Sequence, residues 1–229
     1  MSMPQLSIEN VIKLYTVDNE EIRAVNDVSL QVDKGDFLSI IGHSGSGKTT
    51  LLSIVGGIAR PTSGRVMFEG SDINCFGSDE LSSYRCEKIG FMFQFASLMP
   101  VLTAKENLLL PLTFREGSKE SPVEMEHRAI ELLGLVGLGD KINAYPSQLS
   151  GGQQRRVAIA RAFMNSPELV LADEPTGDLD EETENEMMNF FRSMNEKKGI
   201  TFIIVTHNTE LARRTRRHLR MSSGSLETI

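Results

Sequence analysis

Within eight positions, the segment Gly42-His43-Ser44-Gly45-Ser46-Gly47-Lys48-Thr49 gathers three glycines, a lysine and three hydroxyl residues. The apolar run Phe37–Ile41 precedes it and Thr50-Leu51-Leu52-Ser53-Ile54-Val55 follows it. Strand, glycine loop and helix, in that order, are what a phosphate-binding loop requires. Glycines let successive backbone N–H groups converge on phosphate oxygens at the positive end of a helix. Lys48 would then reach the β- and γ-phosphates of a nucleoside triphosphate, and the Thr49 hydroxyl would ligate Mg²⁺.

A second set of candidates closes the run Leu169-Val170-Leu171-Ala172, which is continuously apolar, as for a strand buried on both faces of a parallel sheet. It ends in Asp173-Glu174. Asp173 suits a Mg²⁺ ligand and Glu174 a group that polarises an attacking water. A third segment, Leu149-Ser150-Gly151-Gly152-Gln153, opens a partly apolar helix expected over 153–164, with Val157, Ile159, Ala160 and Phe163. A capping serine followed by bare glycines makes a helix start where anions bind well. The phosphate loop already has its own helix, so this second start is expected to serve a partner subunit. The chain therefore reads as two halves of different sites.

In chain order, these segments together with Tyr15, Gln94 after Ile89-Gly90-Phe91-Met92-Phe93, Gly177-Asp178-Leu179-Asp180, and His207 after the run Thr201–Thr206 resemble the nucleotide-binding subunit of ATP-binding cassette (ABC) transporters. The resemblance covers nearly the whole chain. It implies that Tyr15 stacks on adenine, and that His43, Ser44, Ser46 and Thr50 join the glycines, Lys48 and Thr49 around ATP. Gln94 would touch Mg²⁺ or the attacking water and sense a membrane partner, while His207 would contact the γ-phosphate. Ser150 and Gly152, with Gly151 and Gln153 beside them, would meet the γ-phosphate held by the opposite subunit, and Asp180 would lie at the nucleotide in the D-loop. Two positions depart from the commonest family spelling: His43, often proline, and Gly177-Asp178, elsewhere serine and alanine.

Segments such as Gly56-Gly57-Ile58, Pro61-Thr62-Ser63-Gly64 and Pro175-Thr176-Gly177 resemble the branch of lipoprotein-releasing and macrolide-export ATPases. That implies an ATP-hydrolysing subunit that dimerises head to tail and drives a separate integral membrane permease in export or lipoprotein extrusion. A regulatory ATPase that acts through a permease-like protein in cell division or envelope remodelling stays open.

The elements expected to position these residues make an α/β, P-loop NTPase core with a parallel sheet, an N-terminal antiparallel β subdomain and a helical lobe at roughly 95–150. All of it reads as one domain over 1–229. The alternation Val28, Leu30, Val32 indicates antiparallel strands. Met125 to Leu135 is amphipathic, and Thr103 with Glu106 forms a capping box between Pro100 and Pro111. A helix over 180–198 carries Met187, Phe190, Phe191 and Met194 on one side and stops at Gly199. The basic run Arg213–Arg220 reads as a solvated helix face, with anionic lipid the alternative partner.

Composition bounds the rest. A net charge of −7 over 229 residues argues against a nucleic-acid partner. Cys75 and Cys86 lack metal-ligand spacing and suggest no disulfide framework. No stretch approaches a membrane span, and Met1 to Asn10 lacks the pattern of a signal peptide. The expected location is peripheral, on the cytoplasmic face of the inner membrane, with Phe95, Leu98 and Met99 near Gln94 as docking surface.

Overall fold

The computed structural model describes residues 3–115, 120–177 and 179–228. Strands β1 (Leu6–Val17) and β2 (Glu20–Val32) form a long antiparallel pair, followed by β3 (Phe37–Ile41), helix α1 (Lys48–Val55), β4 (Ser63–Phe68), the short β5 (Ser71–Asp72) and helix α2 (Ser78–Ser83). Next come β6 (Ile89–Met92), α3 (Ala104–Leu109), α4 (Pro122–Leu135) and α5 (Gly151–Ala162). The chain closes with β7 (Leu169–Asp173), α6 (Glu181–Lys198), β8 (Thr201–Thr206), α7 (Thr209–Ala212), β9 (Arg217–Ser222) and β10 (Ser225–Thr228). One sheet has the order β2-β1-β4-β5 and is antiparallel; the other runs β10-β9-β3-β8-β7-β6, parallel except for β10.

The larger sheet is buried on both faces, which explains why its central strands are apolar without alternation. Phe37 of β3, Val170 and Ala172 of β7, and Phe202 and Ile204 of β8 face α3 to α6. Their neighbours Leu38, Ile40, Leu169, Leu171, Ile203 and Val205 face α1 and the antiparallel sheet. Adjacent residues of one strand thus enter different cores. Phe202 is fully buried and sets its ring against Phe37 at 5.2 Å, edge to face, and against Phe191 at 5.7 Å.

Local signals agree with several expectations. Asp180 caps α6 by accepting from the Thr183 N–H at 2.9 Å, and Gly199 ends the helix with φ 69°. Met187, Phe190 and Phe191 are buried, and Met194 packs partly buried against them. Thr103 and Glu106 cap α3 reciprocally, as Ser121 and Glu124 cap α4. The lobe between 95 and 150 is helical only in part. Pro100, Pro111 and Pro146 and the glycine-punctuated stretch after α4 interrupt it with short 3₁₀ turns and irregular backbone.

The expectation for Arg213–Arg220 needs correction. Residues after α7 turn and enter β9, where Leu219 and Met221 are buried and Arg220 is exposed. Period-two alternation, not a helix face, governs this run. Its charges also have partners inside the chain: Arg214 with Asn185, Arg216 with Glu196, and Arg217 with Asp36 and the Gln31 carbonyl.

Candidate active site

Parallel pairing brings the C-terminal ends of β3, β6, β7 and β8 to one edge of the sheet. Ile41 pairs with Thr206, Asp173 with Val205, and Met92 with Ala172, so the loops that follow emerge side by side. Ligand clefts in open α/β sheets form at this edge. Here an open cleft of about 840 Å³ is lined by Tyr15, residues 43–50, Gln94, Arg155, Asp173, Glu174, Gly177 and His207, among others.

The loop at 42–49 wraps the start of α1. Gly47 caps the helix with φ 105°, and a β-carbon there would clash with the Ala24 carbonyl, so this position needs glycine. The Lys48 ammonium is turned onto the loop, donating to the carbonyls of Gly42 at 2.7 Å and His43 at 2.9 Å. Burial pulls Lys48 below the ordinary lysine value, opposed by the Glu174 and Asp173 carboxylates. The Thr49 hydroxyl donates to Asp173 Oδ2 at 2.7 Å, which ties α1 to the end of β7. Burial lifts Asp173 above the ordinary carboxylate range; the Thr49 hydroxyl opposes this, and the neighbouring Glu174 charge adds to it.

Glu174 accepts from three donors: Thr206 Oγ1 at 2.9 Å, the His207 backbone N–H at 2.8 Å, and His207 Nδ1 at 2.7 Å in the tautomer that carries a proton there. Its φ of 46° lies in the left-handed region, uncommon for a residue with a side chain. The Glu174 side chain is 15% exposed and that of His207 is 71% exposed. The imidazole is therefore free to leave while the carboxylate stays anchored by the other two donors.

Tyr15, the loop residues 43–50, Gln94, Asp173, Glu174 and His207 share one cleft; Gly42 is not among its lining residues and contributes the carbonyl that accepts from Lys48. Tyr15 is 41% exposed at the cleft mouth, with Lys13 Nζ 5.0 Å from its ring centre. Ser150, Gly151, Gly152, Gln153 and Asp180 are not among the lining residues. Ser150 and Gln153 form a reciprocal cap at the start of α5, and Ser150 and Gly151 are exposed to solvent. Asp178 lies outside the described residues. Three contributors were missed in the sequence. Thr206 holds Glu174, Gly224 donates its N–H to the Ser46 carbonyl at 3.0 Å, and Arg155 lines the cleft. Only Arg155 carried a readable signal: it stands at i, i+3, i+4 with the buried Ala158 and Ile159, a charge on an apolar stripe.

The sequence profile of the ABC transporter family matches residues 25–177. An ABC transporter ATP-binding protein of Thermotoga maritima is 45% identical over 98% of this chain and 94% of its own length. The macrolide export ATP-binding/permease protein MacB of Syntrophobacter fumaroxidans is 43% identical over 98% of this chain, which spans only 31% of that protein. Among solved structures, the ATP-binding cassette MJ0796 of Methanocaldococcus jannaschii, a dimer in a post-hydrolysis state bound to ADP and Pi, superposes with a TM-score of 0.92. The two are 42% identical, covering 97% of this chain and 98% of that one.

The position of Asp173 makes a stability prediction. A carboxyl group raised in the folded state contributes stability that is full below its unfolded value and lost as pH rises through the folded one, so the ionised form of Asp173 is a cost to the fold. Asp173→Asn keeps an acceptor for Thr49 and removes that charge. It is expected to raise the Tm at pH 7, as measured by calorimetry. The gain should vanish when calorimetry is repeated below the ordinary aspartate range; a lower Tm at pH 7 would refute it.

Proposed function

The chain belongs to the ABC transporter family, and from that premise we propose that it is the ATP-binding and ATP-hydrolysing subunit of a transporter, closing head to tail with a second copy to drive a separate membrane permease. The permease would hold it at the cytoplasmic face of the inner membrane. Among the described residues no helix is long and apolar enough to cross a membrane. Similarity to a macrolide exporter favours export, with substrate choice belonging to the permease.

One observation carries this reading. The phosphate loop, Asp173, Glu174 and His207 converge on a single cleft, while the exposed, glycine-bare start of α5 lies outside its lining. A helix start with free N–H groups favours an anion. In a head-to-tail pair, each chain would offer Ser150–Gln153 to the triphosphate in the other's cleft.

Each residue then has a role. Lys48 would exchange its loop carbonyls for β- and γ-phosphate oxygens, and Tyr15 would stack on the base. Mg²⁺ suits the Thr49 hydroxyl and the Asp173 carboxylate, which are hard oxygen donors, with the Gln94 amide in the same cleft. Among the described residues no group of three or more His, Cys, Asp and Glu could cage a metal, which fits an ion that takes further ligands from phosphates and water. Bound there, it neutralises charge on the phosphate oxygens. Glu174 would take a proton from water once the His207 imidazole swings to the γ-phosphate and vacates one acceptor position on Oε1, which still accepts from the His207 backbone N–H.

The permease would meet a groove of about 430 Å³ beside Gln94, lined by Phe91, Phe93, Leu110 and Phe114. Phe93 is 46% exposed and stacks on Phe91 at 5.3 Å, while Phe114 is 67% exposed. Phe95 and Met99 are exposed near it, but Leu98 packs partly buried against the lobe core, so Leu98 serves the fold.

Three outcomes test this reading. Glu174→Gln should bind ATP and accumulate as a dimer in size-exclusion chromatography, with phosphate release at least about a hundredfold slower; native turnover would remove Glu174 as base. Lys48→Ala and Ser150→Arg should each be inactive alone, yet recover up to about a quarter of native activity when mixed, because half of the dimers then hold one complete site. Native turnover in the Ser150→Arg chain alone would defeat the divided site. Phe93→Ser with Phe114→Ser should preserve basal ATPase and fold but lose copurification with a membrane protein, and retained copurification would dismiss the groove.

A further inference from the structure

Arg155 sits in the second turn of α5, just past the exposed start at Ser150–Gly152, and is 4% exposed. Its planar guanidinium carries five donors in a fixed fork. Nε donates to the Pro175 carbonyl at 3.0 Å and Nη2 to that of Glu174, both in the turn after β7. Nη1 donates to the Phe93 carbonyl at 2.9 Å and to that of Gln94, after β6. Two loops that are far apart in sequence are thus held by one side chain of a third element. The Glu174 carbonyl belongs to the left-handed residue whose carboxylate faces the cleft, so the fork holds the backbone that aims that carboxylate. From the same helix Arg161 donates to the Ala96 and Ser97 carbonyls at 2.9 and 3.0 Å, so the whole segment 93–97 is held to α5.

We propose that Arg155 is a positioning residue that locks the Gln94 segment and the Glu174–Pro175 turn to α5, so that engagement of a partner's nucleotide at Ser150–Gly152 is transmitted to this chain's own Glu174. The inference rests on the divided ATP site proposed above. It makes the two sites of a dimer mechanically dependent: a displacement of α5 by one nucleotide moves the carboxylate serving the other. A compact ammonium on a flexible stem cannot span four carbonyls on two loops, so charge alone does not replace the fork. A residue that merely packs the lobe would act on stability without singling out these loops.

Arg128 supplies the control, because it also donates to a backbone carbonyl, that of Met164 after α5 at 2.8 Å, and neither residue lines the cleft. The full-length native chain, Arg155→Lys and Arg128→Ala are compared by amide hydrogen exchange and by steady-state ATP hydrolysis with Mg-ATP. Arg155→Lys is expected to exchange faster at 93–97 and 174–177, by about tenfold, and to lose about tenfold or more in kcat, with KM within roughly threefold of native. Arg128→Ala is expected to keep native kcat and native exchange in both segments. Unchanged exchange in Arg155→Lys, native kcat, or an equal response in Arg128→Ala would overturn the proposal; should Arg155→Lys not fold, Arg155→Gln takes its place. A native chain that hydrolyses no ATP would defeat the functional reading, while the exchange comparison still decides the clamp.

Discussion

The cleft depends on one constraint: a parallel sheet buried on both faces can carry polar chemistry only where its strands end. Within β3, β7 and β8 adjacent residues go to opposite cores, so short of the strand ends nearly every side chain is apolar and committed to packing. Shared register then delivers Gly42, Asp173 and Thr206 to one edge, with Glu174 and His207 one residue further on. The exceptions within the strands are small and paired, as with Ser39, whose hydroxyl meets that of Thr215 at 2.9 Å. Asp173 is a charged strand residue carried into burial at this edge, and the hydrogen bond from Thr49 offsets only part of what that burial costs.

Much of this was legible because the signals were local. The apolar run at 169–172 could only be a strand covered on both sides, the glycine spacing at 42–47 had a mechanism, and Asp180 with Gly199 marked both ends of α6. Where two periods competed, reading by composition failed. Arg213–Arg220 contains enough arginine to suggest a charged helix face, yet Leu219 and Met221 alternate, and pairing with β3 decided the outcome. Nor was the register of β1 with β2 legible, since several irregularities, one beside the left-handed Asn10, break the alternation. The spacing of Arg155 with Ala158 and Ile159 marked it as a charge on an apolar stripe, but not what it does there. Its value lies in four carbonyl oxygens, and backbone acceptors leave no trace in residue types.

Lys48 and Asp173 share one predicament. Each is an ionisable group drawn out of water, and each lies against nearby protein atoms: loop carbonyls for the ammonium, a threonine hydroxyl for the carboxylate. These contacts are weaker substitutes for phosphate oxygens and a divalent cation, because a full charge meets a neutral dipole. Binding under the proposed function would therefore relieve a cost already present in the fold, and a stabler cleft would be a poorer ligand site.

The start of α5 carries the same logic to the outside of the molecule. Its N–H groups at Gly151 and Gly152 lie in the first helical turn, which has no intrahelical partners for them, and an anion that binds there must offer more than water does. A terminal phosphate held in a partner's cleft brings charge, fixed position and the helix dipole together. A diphosphate in that cleft would lack the group that reaches this far. If the paired chains distinguish the two nucleotides by that one contact, the preference for the closed state is set there, since a ligand shifts an equilibrium only by its difference in affinity for the two states. Hydrolysis would then reopen the pair by removing the bridge and leaving the phosphate loop occupied.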